Sequence, residues 1–424
     1  MKKKVSAYIR QQGLFTSEDK LLVALSGGAD SVALLRLLIE TGYPCEAAHC
    51  NFHLRGEESD RDEQFVRRLC QELKVPLHVT HFQTQQEARQ RKISIEMAAR
   101  ELRYEWFEKM RQECGAAYIA VAHHQDDSLE TFLLNLLRGT GINGLRGIRP
   151  KNGYVVRPLL CLSRQEIMTY VDSIQQEYVT DSTNLQDEYT RNKIRLHLIP
   201  LMEEITPAAR TCLQKTARHL DEAAAIYNKG VEEALKRIKC KEGICIDTLL
   251  KEEAPCTLLF EALSPFGFNE SQVKDIYHSL QGTSGKSFKS DKWHVVKDRN
   301  RLLIEEITSP CEPQLLIERY ENNDSFVIPR NKETACLDAD KLKGALSLRL
   351  WREGDSFVPF GMKGRKLISD YLTNRKFSLL QKEKQWVLCS GDEICWLVGE
   401  RSDNRFRVDE STRNILLIRQ IPHL

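Results

Sequence analysis

The sequence predicts an α/β protein in which a doubly wound parallel sheet is followed by a mainly helical middle region and a small β-rich domain. Three observations support this order. Through the first half of the chain, short apolar runs alternate with segments of helical period, which is typical of parallel strands joined by helices. Helical period then dominates from about residue 200 to residue 239. Polar and apolar residues alternate in the last hundred or so residues, which indicates β-strands.

The predicted strands of the first half are apolar runs of strand length, at residues 21–25, 45–52, 77–82, 118–122 and 155–160. The predicted helices have apolar residues every three to four positions, at residues 31–40, 59–73, 94–113, 128–138 and 164–173. Parallel sheets of this kind bind ligands at the carboxyl ends of their strands. We therefore expect the functional residues just after the strands.

Length and composition predict a protein of several domains. A chain of 424 residues is too long for one ordinary hydrophobic core. We predict a catalytic domain at residues 1–215, a middle domain at 216–312 and a C-terminal domain at 313–424, with Pro310 and Pro313 near the last boundary. Hydrophobic residues at 41% and charged residues at 29% are ordinary for a globular protein. No long apolar run follows the first lysines, so we expect a cytoplasmic protein without a membrane anchor.

The strongest motif is an apolar strand that leads into a glycine turn and a helix, with S-G-G-A-D-S at residues 26–31. The glycines allow successive backbone N–H groups to converge on phosphate oxygens, and the helix N-terminus adds positive potential. Neither the P-loop nor the dinucleotide fingerprint matches this segment. A carboxylate beside phosphates is repulsive unless it caps the helix, binds a cation or shapes the loop. The predicted phosphate-binding residues are Ser26, Gly27, Gly28, Ala29, Asp30 and Ser31.

A second polar cluster, H-H-Q-D-D-S-L-E at residues 123–130, follows the fourth predicted strand and begins a helix. Asp127 and Glu130 are three residues apart, so their carboxylates share a helix face and are candidates to bind Mg²⁺. The alternative is that acidic residues here complement the helix dipole. Position favours the metal, because this helix start and the Ser26 loop should face the same crevice. His123 is a further candidate, against the alternative of a hydrogen-bonded polar residue near a strand end.

These motifs resemble those of the ATP pyrophosphatase (PP-loop) group, whose members cleave ATP between the α and β phosphates and adenylate a carbonyl oxygen. Within that group the chain resembles the tRNA(Ile)-lysidine synthetase family, through residues 49–59, 98–104, 138–145, 181–184 and 191–195 in the same order. Residues 354–366 resemble the C-terminal domain of that family. One departure follows the second strand. The family usually reads Asn-His-Gly-Leu-Arg, whereas this chain has Asn51-Phe52-His53-Leu54-Arg55.

The resemblance implies an ATP-dependent ligase that acts on the wobble cytidine of a tRNA(Ile) with a CAU anticodon. The C2 carbonyl oxygen of the cytosine would attack the α-phosphorus of ATP, and the ε-amine of L-lysine would then attack C2 to give lysidine. The amine must lose a proton, and Asp30, Asp127 and His123 are candidates to accept it. Arg191 and Arg195 lie one helical turn apart and are expected to bind a phosphate or the lysine carboxylate. The alternative for these arginines is a solvated helix face.

Residues 341–376 contain nine Lys or Arg against three acidic residues, with four aromatic residues among them. This composition predicts a surface that binds RNA through phosphates and unpaired bases. The alternative is an ordinary basic β surface over an aromatic core. The tRNA-binding candidates are Arg349, Lys363, Arg365 and Lys366, and the aromatic residues are Trp351, Phe357, Phe360 and Tyr371.

Two other functions remain open to the sequence: a tRNA thiolase of the same group, or a noncatalytic tRNA-binding protein. Thirteen cysteines occur without any C-x-x-C pair, which counts against a thiolase and against a disulfide framework. The intact loop at residues 26–31 counts against a noncatalytic protein. The sequence leaves the oligomeric state open, with a homodimer as one alternative.

Overall fold

A computed structural model describes residues 1–180, 190–241, 243–323, 326–329 and 331–421. They form two compact units, Met1–Asn228 and Lys229–Leu424. The predicted three-domain division, with boundaries after residues 215 and 312, stays a prediction. The segment at 181–184 that contributed to the family resemblance lies outside the described residues. Within the described part of the chain, no helix combines the length and the apolar character needed to cross a lipid bilayer.

The first unit is built on a mostly parallel sheet. Its strands are β1 (Leu21–Ala24), β2 (Cys45–Asn51), β3 (Leu77–His81), β4 (Tyr118–Ala120), β5 (Lys151–Asn152) and β6 (Val155–Val156). Their order is β3-β2-β1-β4-β6-β5, and every neighbouring pair is parallel except the β5–β6 hairpin. The five predicted strands are confirmed. The last is shorter than expected because Pro158 begins a 3-10 turn, and β5 is too short to leave a periodic signal in the sequence.

Helices cover both faces of this sheet, as the alternation of strands and helices predicted. The helices up to Ile238 are α1 (Lys2–Gln11), α2 (Ala29–Glu40), α3 (Glu57–Leu73), α4 (Thr84–Arg91), α5 (Ile95–Glu113), α6 (Gln125–Leu137), α7 (Arg164–Ser173), α8 (Thr190–Lys193), α9 (Ile199–Ile205) and α10 (Ala209–Ile238). A π-helical turn, Ile194–Leu198, joins α8 to α9. The last of these helices continues into the second unit.

The central strand β1 shows how the two faces are filled. Leu21 and Val23 point to one face and belong to a buried cluster that includes Leu34 of α2. Leu22 points to the other face and packs in a cluster with Phe107 of α5. This alternation leaves every side chain of the strand in contact with apolar neighbours. The strand is therefore held rigidly, and so is the loop that follows it.

The second unit begins with helices and an antiparallel sheet. Its first strands are β7 (Lys239–Cys240), β8 (Gly243–Cys245), β9 (Ser287–Lys289), β10 (Trp293–Asp298) and β11 (Arg301–Glu306), in the order β7-β8-β11-β10-β9. Three helices belong to the same region: α11 (Ile246–Leu249), α12 (Pro255–Leu263) and α13 (Glu270–Ser279). Helices and sheet share one apolar cluster that includes Leu259, Ile276 and Val295. The helices match the prediction for this region, whereas the sheet beside them was not predicted.

The remainder of the second unit is rich in β-strands, as predicted. The strands are β12 (Leu315–Glu321), β13 (Thr334–Asp338), β14 (Leu346–Leu350), β15 (Ser356–Phe357), β16 (Lys366–Leu367), β17 (Trp386–Ser390), β18 (Glu393–Leu397), β19 (Arg401–Ser402) and β20 (Asn414–Gln420). They form three sheets, with orders β12-β20-β13, β14-β17-β18-β19 and β15-β16. Two short helices, α14 (Ile368–Asn374) and α15 (Leu379–Glu383), lie between the strands. Buried side chains such as Trp396 and Leu416 form the core.

Candidate active site

The loop at residues 26–31, which we call the phosphate cradle after its predicted role, is a glycine turn between β1 and α2. Gly27 has a φ of +93°, and a Cβ added there would lie 3.3 Å from Val66, so both conformation and space favour glycine. The next glycine is the N-cap of α2, whose first turn contains the remaining three cradle residues. The hydroxyls of Ser26 and Ser31 are 3.1 Å apart, and the second donates to the carbonyl oxygen of Gly28 at 2.9 Å. Backbone amides and a hydroxyl thus meet at the exposed end of β1.

Asp30, in the first turn of α2, has one satisfied oxygen and one that lacks a donor. Its Oδ2 accepts a hydrogen bond from Nη1 of Arg164, the first residue of α7. Its Oδ1 is buried and finds no hydrogen-bond donor among the described residues. Nε2 of His124 is 3.8 Å from that oxygen. A buried carboxylate oxygen without a donor is rare in folded proteins and marks a place for a cation or another donor.

The start of α6 is closed by a capping box in which a histidine takes the place usually filled by Ser, Thr or Asp. Nδ1 of His124 accepts from the backbone N–H of Asp127 at 3.4 Å, and Oδ2 of Asp127 accepts from the backbone N–H of His124 at 2.9 Å. The sequence did not indicate that His124 caps α6, because capping residues are normally small. The cap fixes the direction of the Asp127 carboxylate and leaves its Oδ1 turned toward other groups.

The carboxylate of Glu130 forms ion pairs with two arginines. Glu130 is only 1% exposed, and its carboxylate accepts from Nε of Arg191 at 2.8 Å and from Nε of Arg195 at 2.6 Å. Nη2 of Arg191 also lies 3.2 Å from Oδ1 of Asp127. The prediction that the two arginines share a face is consistent with this geometry. Glu130 stays a predicted Mg²⁺ ligand; in this geometry both of its oxygens accept from guanidinium groups, so a cation would have to displace an arginine.

Two pKa shifts describe the chemistry around this cluster. Burial lowers the pKa of His123 to about 4, with Asp127 acting weakly in the opposite direction. Nδ1 of His123 accepts from Nε of Arg157 at 3.1 Å, so the imidazole is a neutral acceptor near pH 7. Burial alone would lower the pKa of Arg195, but the hydrogen bonds to Glu130 and the charges of Glu130, Asp127 and Asp30 together raise the pKa. The arginine therefore stays charged.

Further arginines that the sequence did not single out complete the site. The backbone N–H of Arg164 donates to Oδ2 of Asp126 at 2.8 Å, and Nη1 of Arg210 donates to its Oδ1 at 2.5 Å. These contacts tie α6 to α7 and α10. Their partners lie 38 and 84 residues away along the chain, so no local spacing could have indicated them.

The predicted tRNA-binding residues lie in the second unit and differ in how exposed and how strongly paired their side chains are. Lys363 and Arg365 are exposed, whereas Lys366 is half-buried in β16. Arg349 makes a bidentate pair with Asp355, at 2.6 and 2.9 Å, so part of its guanidinium is taken by a neighbour. The prediction that aromatic rings of this segment contact unpaired bases was wrong for Phe357 and Tyr371, because both are buried in the core of the unit. Phe360, at 47% exposed, remains available for stacking.

Comparison with known proteins shows which families the two parts of the chain resemble. Residues 1–202 match a family model described as a PP-loop domain, and residues 240–307 match one described as a TilS substrate binding domain. The chain is 61% identical over 421 residues to a protein of Bacteroides thetaiotaomicron named tRNA(Ile)-lysidine synthase, covering 98% of this chain and 99% of that protein. Proteins of the same name from Parabacteroides distasonis and Clostridium acetobutylicum are 49% and 31% identical, with 98% and 97% of both chains covered.

We predict that His123 makes the folded protein less stable in acid. Because the pKa is about 4 in the folded state and ordinarily 6.5, the unfolded chain binds more protons between these values, and stability falls as the pH drops through that window. His123→Gln should remove this component of the pH dependence while keeping an acceptor for Arg157. Urea unfolding at pH 7, 6, 5 and 4 measures it, with His219→Gln on exposed α10 as the control. The same slope in both variants would contradict the assignment.

Proposed function

The chain belongs to the tRNA(Ile)-lysidine synthase family, and from that membership we propose that it is an ATP-dependent ligase that joins L-lysine to C2 of the wobble cytidine of tRNA(Ile) with a CAU anticodon. The product of this reaction is lysidine, and AMP and pyrophosphate are released. The proposal places the protein in the cytoplasm, where its tRNA substrate is. We also propose that the protein forms a homodimer. Light scattering of the purified protein measures its mass in solution and so checks this part of the proposal.

One observation carries the assignment of the site: the phosphate cradle and the carboxylate-bearing start of α6 open at the same edge of the sheet. They follow β1 and β4, which are parallel neighbours in register from Leu21 and Tyr118 onward. Side chains of the two segments, Asp30 and His124, come within 3.8 Å of each other. A nucleotide whose outer phosphates lie in the cradle would therefore present its α-phosphorus to groups on α6.

In the first step, we assign pyrophosphate binding to the backbone N–H groups of residues 27–31 and to the hydroxyl of Ser26, whereas the hydroxyl of Ser31 donates to the carbonyl oxygen of Gly28 and shapes the loop. These donors are fixed before the nucleotide arrives, so they stabilise the charge that develops on the leaving pyrophosphate without reorganising. The C2 carbonyl oxygen of the cytosine attacks the α-phosphorus, and the bond to the bridging oxygen breaks. The base becomes a good electrophile because AMP is then its leaving group.

In the second step, the ε-ammonium of lysine must lose a proton before its nitrogen attacks C2. Nδ1 of His123 already accepts a hydrogen bond from Arg157, so this nitrogen is not the one that takes the proton. The proposed acceptors are Asp30, Asp127 and the other ring nitrogen of His123. Arg191 and Arg195, oriented by Glu130, are proposed to bind an anionic group of a substrate, either a phosphate or the lysine carboxylate.

The residues present fit a Mg²⁺ ion, with a different pair from the one that sequence spacing suggested. The buried Oδ1 of Asp30 finds no donor among the described residues, and Oδ1 of Asp127 lies 3.2 Å from Nη2 of Arg191 and 3.8 Å from Nη2 of Arg195. We propose that Asp30 and Asp127 hold the ion. Carboxylate oxygens together with phosphate oxygens and water are the ligands that Mg²⁺ prefers. When bound, the ion would neutralise charge on the ATP phosphates.

A direct assay tests the proposed function. Radiolabelled lysine is offered with ATP and an unmodified tRNA(Ile) transcript that carries the CAU anticodon. We expect label in the tRNA in equal amount to the AMP released, and none when the wobble cytidine is replaced by uridine. Transfer without ATP, or label in the uridine transcript, would contradict the proposal, as would no transfer at all.

We predict that Asp127→Asn abolishes adenylation, because a carboxamide cannot serve as a charged ligand or as a proton acceptor. The amide oxygen can still accept from the backbone N–H of His124, so the cap of α6 is kept and the variant should fold. Release of pyrophosphate in the presence of tRNA measures adenylation, and filter binding measures tRNA affinity. Asp172→Asn, exposed on α7, is the control. Wild-type turnover in Asp127→Asn would remove this residue from the mechanism.

The exposed cations Lys363 and Arg365 are proposed to contact tRNA phosphates. Reversing both charges to Glu should weaken tRNA binding at least about tenfold and reduce the slope of log affinity against log salt by about 1 for each lost contact. Lysine incorporation at saturating tRNA should change little. The double variant Lys3→Glu/Lys109→Glu, with exposed reversals on α1 and α5, controls for the same change in net charge. Equal affinity and equal slope in the double variant would refute the role of this surface.

A further inference from the structure

Two histidines face each other at the carboxyl ends of β2 and β3. Nε2 of His53 lies 3.0 Å from Nδ1 of His81, and the rings are nearly parallel, with centroids 5.1 Å apart and planes inclined by 16°. Their side chains are 48% and 51% exposed, so an ion can enter from solvent. The mechanism described above uses neither residue.

Each imidazole has a carboxylate beside its outer nitrogen. Nδ1 of His53 is 3.8 Å from Oδ1 of Asp60, and Nε2 of His81 is 3.6 Å from Oε2 of Glu63. The buried amide of Asn51 donates to both carboxylates, at 3.2 and 3.0 Å, so one side chain fixes the two acidic groups. A carboxylate behind a ring nitrogen is the usual environment of a histidine that binds a metal through its other nitrogen.

The two inner nitrogens are close enough to share either a hydrogen or a metal ion. If the outer nitrogens carry the hydrogens that face the carboxylates, the inner nitrogens present two lone pairs to each other at 3.0 Å. Two lone pairs repel unless a proton or a metal ion lies between them. Two nitrogens that each lie about 2.0–2.1 Å from one metal ion are themselves roughly 3.0–3.4 Å apart when the angle at the metal is between about 90° and 110°. The separation of the two histidines therefore suits a shared ion.

The backbone at the first histidine is held in a conformation that favours glycine. His53 has a φ of +51°, and its N–H donates to Oδ1 of Asn51 at 3.0 Å. Glycine is the usual residue of the family pattern at this position, so the chain places an imidazole where the backbone resists a side chain. Strain of this kind costs free energy and often accompanies a functional side chain.

We propose that His53 and His81 bind a divalent transition-metal ion of the Zn²⁺ class. Imidazole nitrogens are its ligands, Asp60 and Glu63 orient the rings from behind, and water fills the remaining positions. The ion links the segment after β2 to the end of β3. This site is separate from the Mg²⁺ proposal, and it does not depend on the proposed function.

A second cluster of possible ligands is a weaker candidate. One ligand atom each of Glu46, His78 and Cys114 lies within 4.8 Å of the others. However, the ammonium of Lys20 is 2.5 Å from the Glu46 carboxylate and also donates to the carbonyl oxygen of Cys114. A cation of the protein itself already occupies this position, so a metal ion would have to displace it.

Calorimetric titration of the full chain with ZnCl₂, after dialysis against a chelator and in the presence of a phosphine reductant, tests the proposal. We expect the wild-type protein to bind Zn²⁺ at this site and His81→Asn to lose that binding. His53→Gly should lose it too, and this variant relaxes the backbone at φ +51°, so misfolding cannot explain the loss. Asp60→Asn should weaken binding about 10- to 100-fold, as expected for a group that supports a metal ligand.

The matched control is His78→Asn, which alters the rival cluster and should bind like the wild-type protein. Exposed thiols such as those of Cys212 and Cys311 are present in every variant and cancel in the comparison. Unchanged binding in both His53→Gly and His81→Asn would overturn the proposal, as would loss only in His78→Asn or no binding by the wild-type protein. Lysine ligation is measured separately, so failure of either proposal leaves the other standing.

Discussion

The parallel pairing of β1 with β4 is the constraint on which the candidate site depends. These strands are central in the sheet, and helices bury them on both faces, so their ends cannot shift independently. Each strand leads directly into the N-terminus of a helix, α2 or α6. Two helix N-termini therefore point at one crevice, where both the backbone donors and the helix dipoles favour an anion. A polyphosphate substrate suits that environment before any side chain is considered.

Side-chain charges at this crevice are arranged in pairs. Each carboxylate near the start of α6, and the one at the start of α2, has a guanidinium partner, so the site holds several charges of both signs in fixed positions. The pairs are Asp30 with Arg164, Asp126 with Arg210, Asp127 with Arg191, and Glu130 with Arg191 and Arg195. Such a network is organised before substrate binds, which is what electrostatic stabilisation of a transition state requires. Oδ1 of Asp30 is the exception, because it finds no hydrogen-bond donor among the described residues.

The family assignment rests on sequence identity, whereas the chemistry of the site rests on side-chain geometry. Relatives of high identity over nearly their full length establish the family. The geometry shows in addition that burial keeps His123 neutral and that Glu130 accepts hydrogen bonds from Arg191 and Arg195. It also shows that the departure at Asn51-Phe52-His53 moves an imidazole by one position, onto a backbone conformation that glycine would adopt more easily.

The sequence by itself determined the elements that depend on local rules. Strand and helix periods placed the five parallel strands, and the two glycines predicted the turn after β1, because backbone conformation at Gly27 is a property of a few consecutive residues. The spacing of Arg191 and Arg195 likewise predicted a shared face. Tertiary structure alone decided which partner each charge has, since Arg164 meets Asp30 across 134 residues and Glu130 meets its arginines across more than 60. It also decided that Phe357 is buried, because burial and pairing depend on the packing of distant segments, which short-range periodicity does not encode.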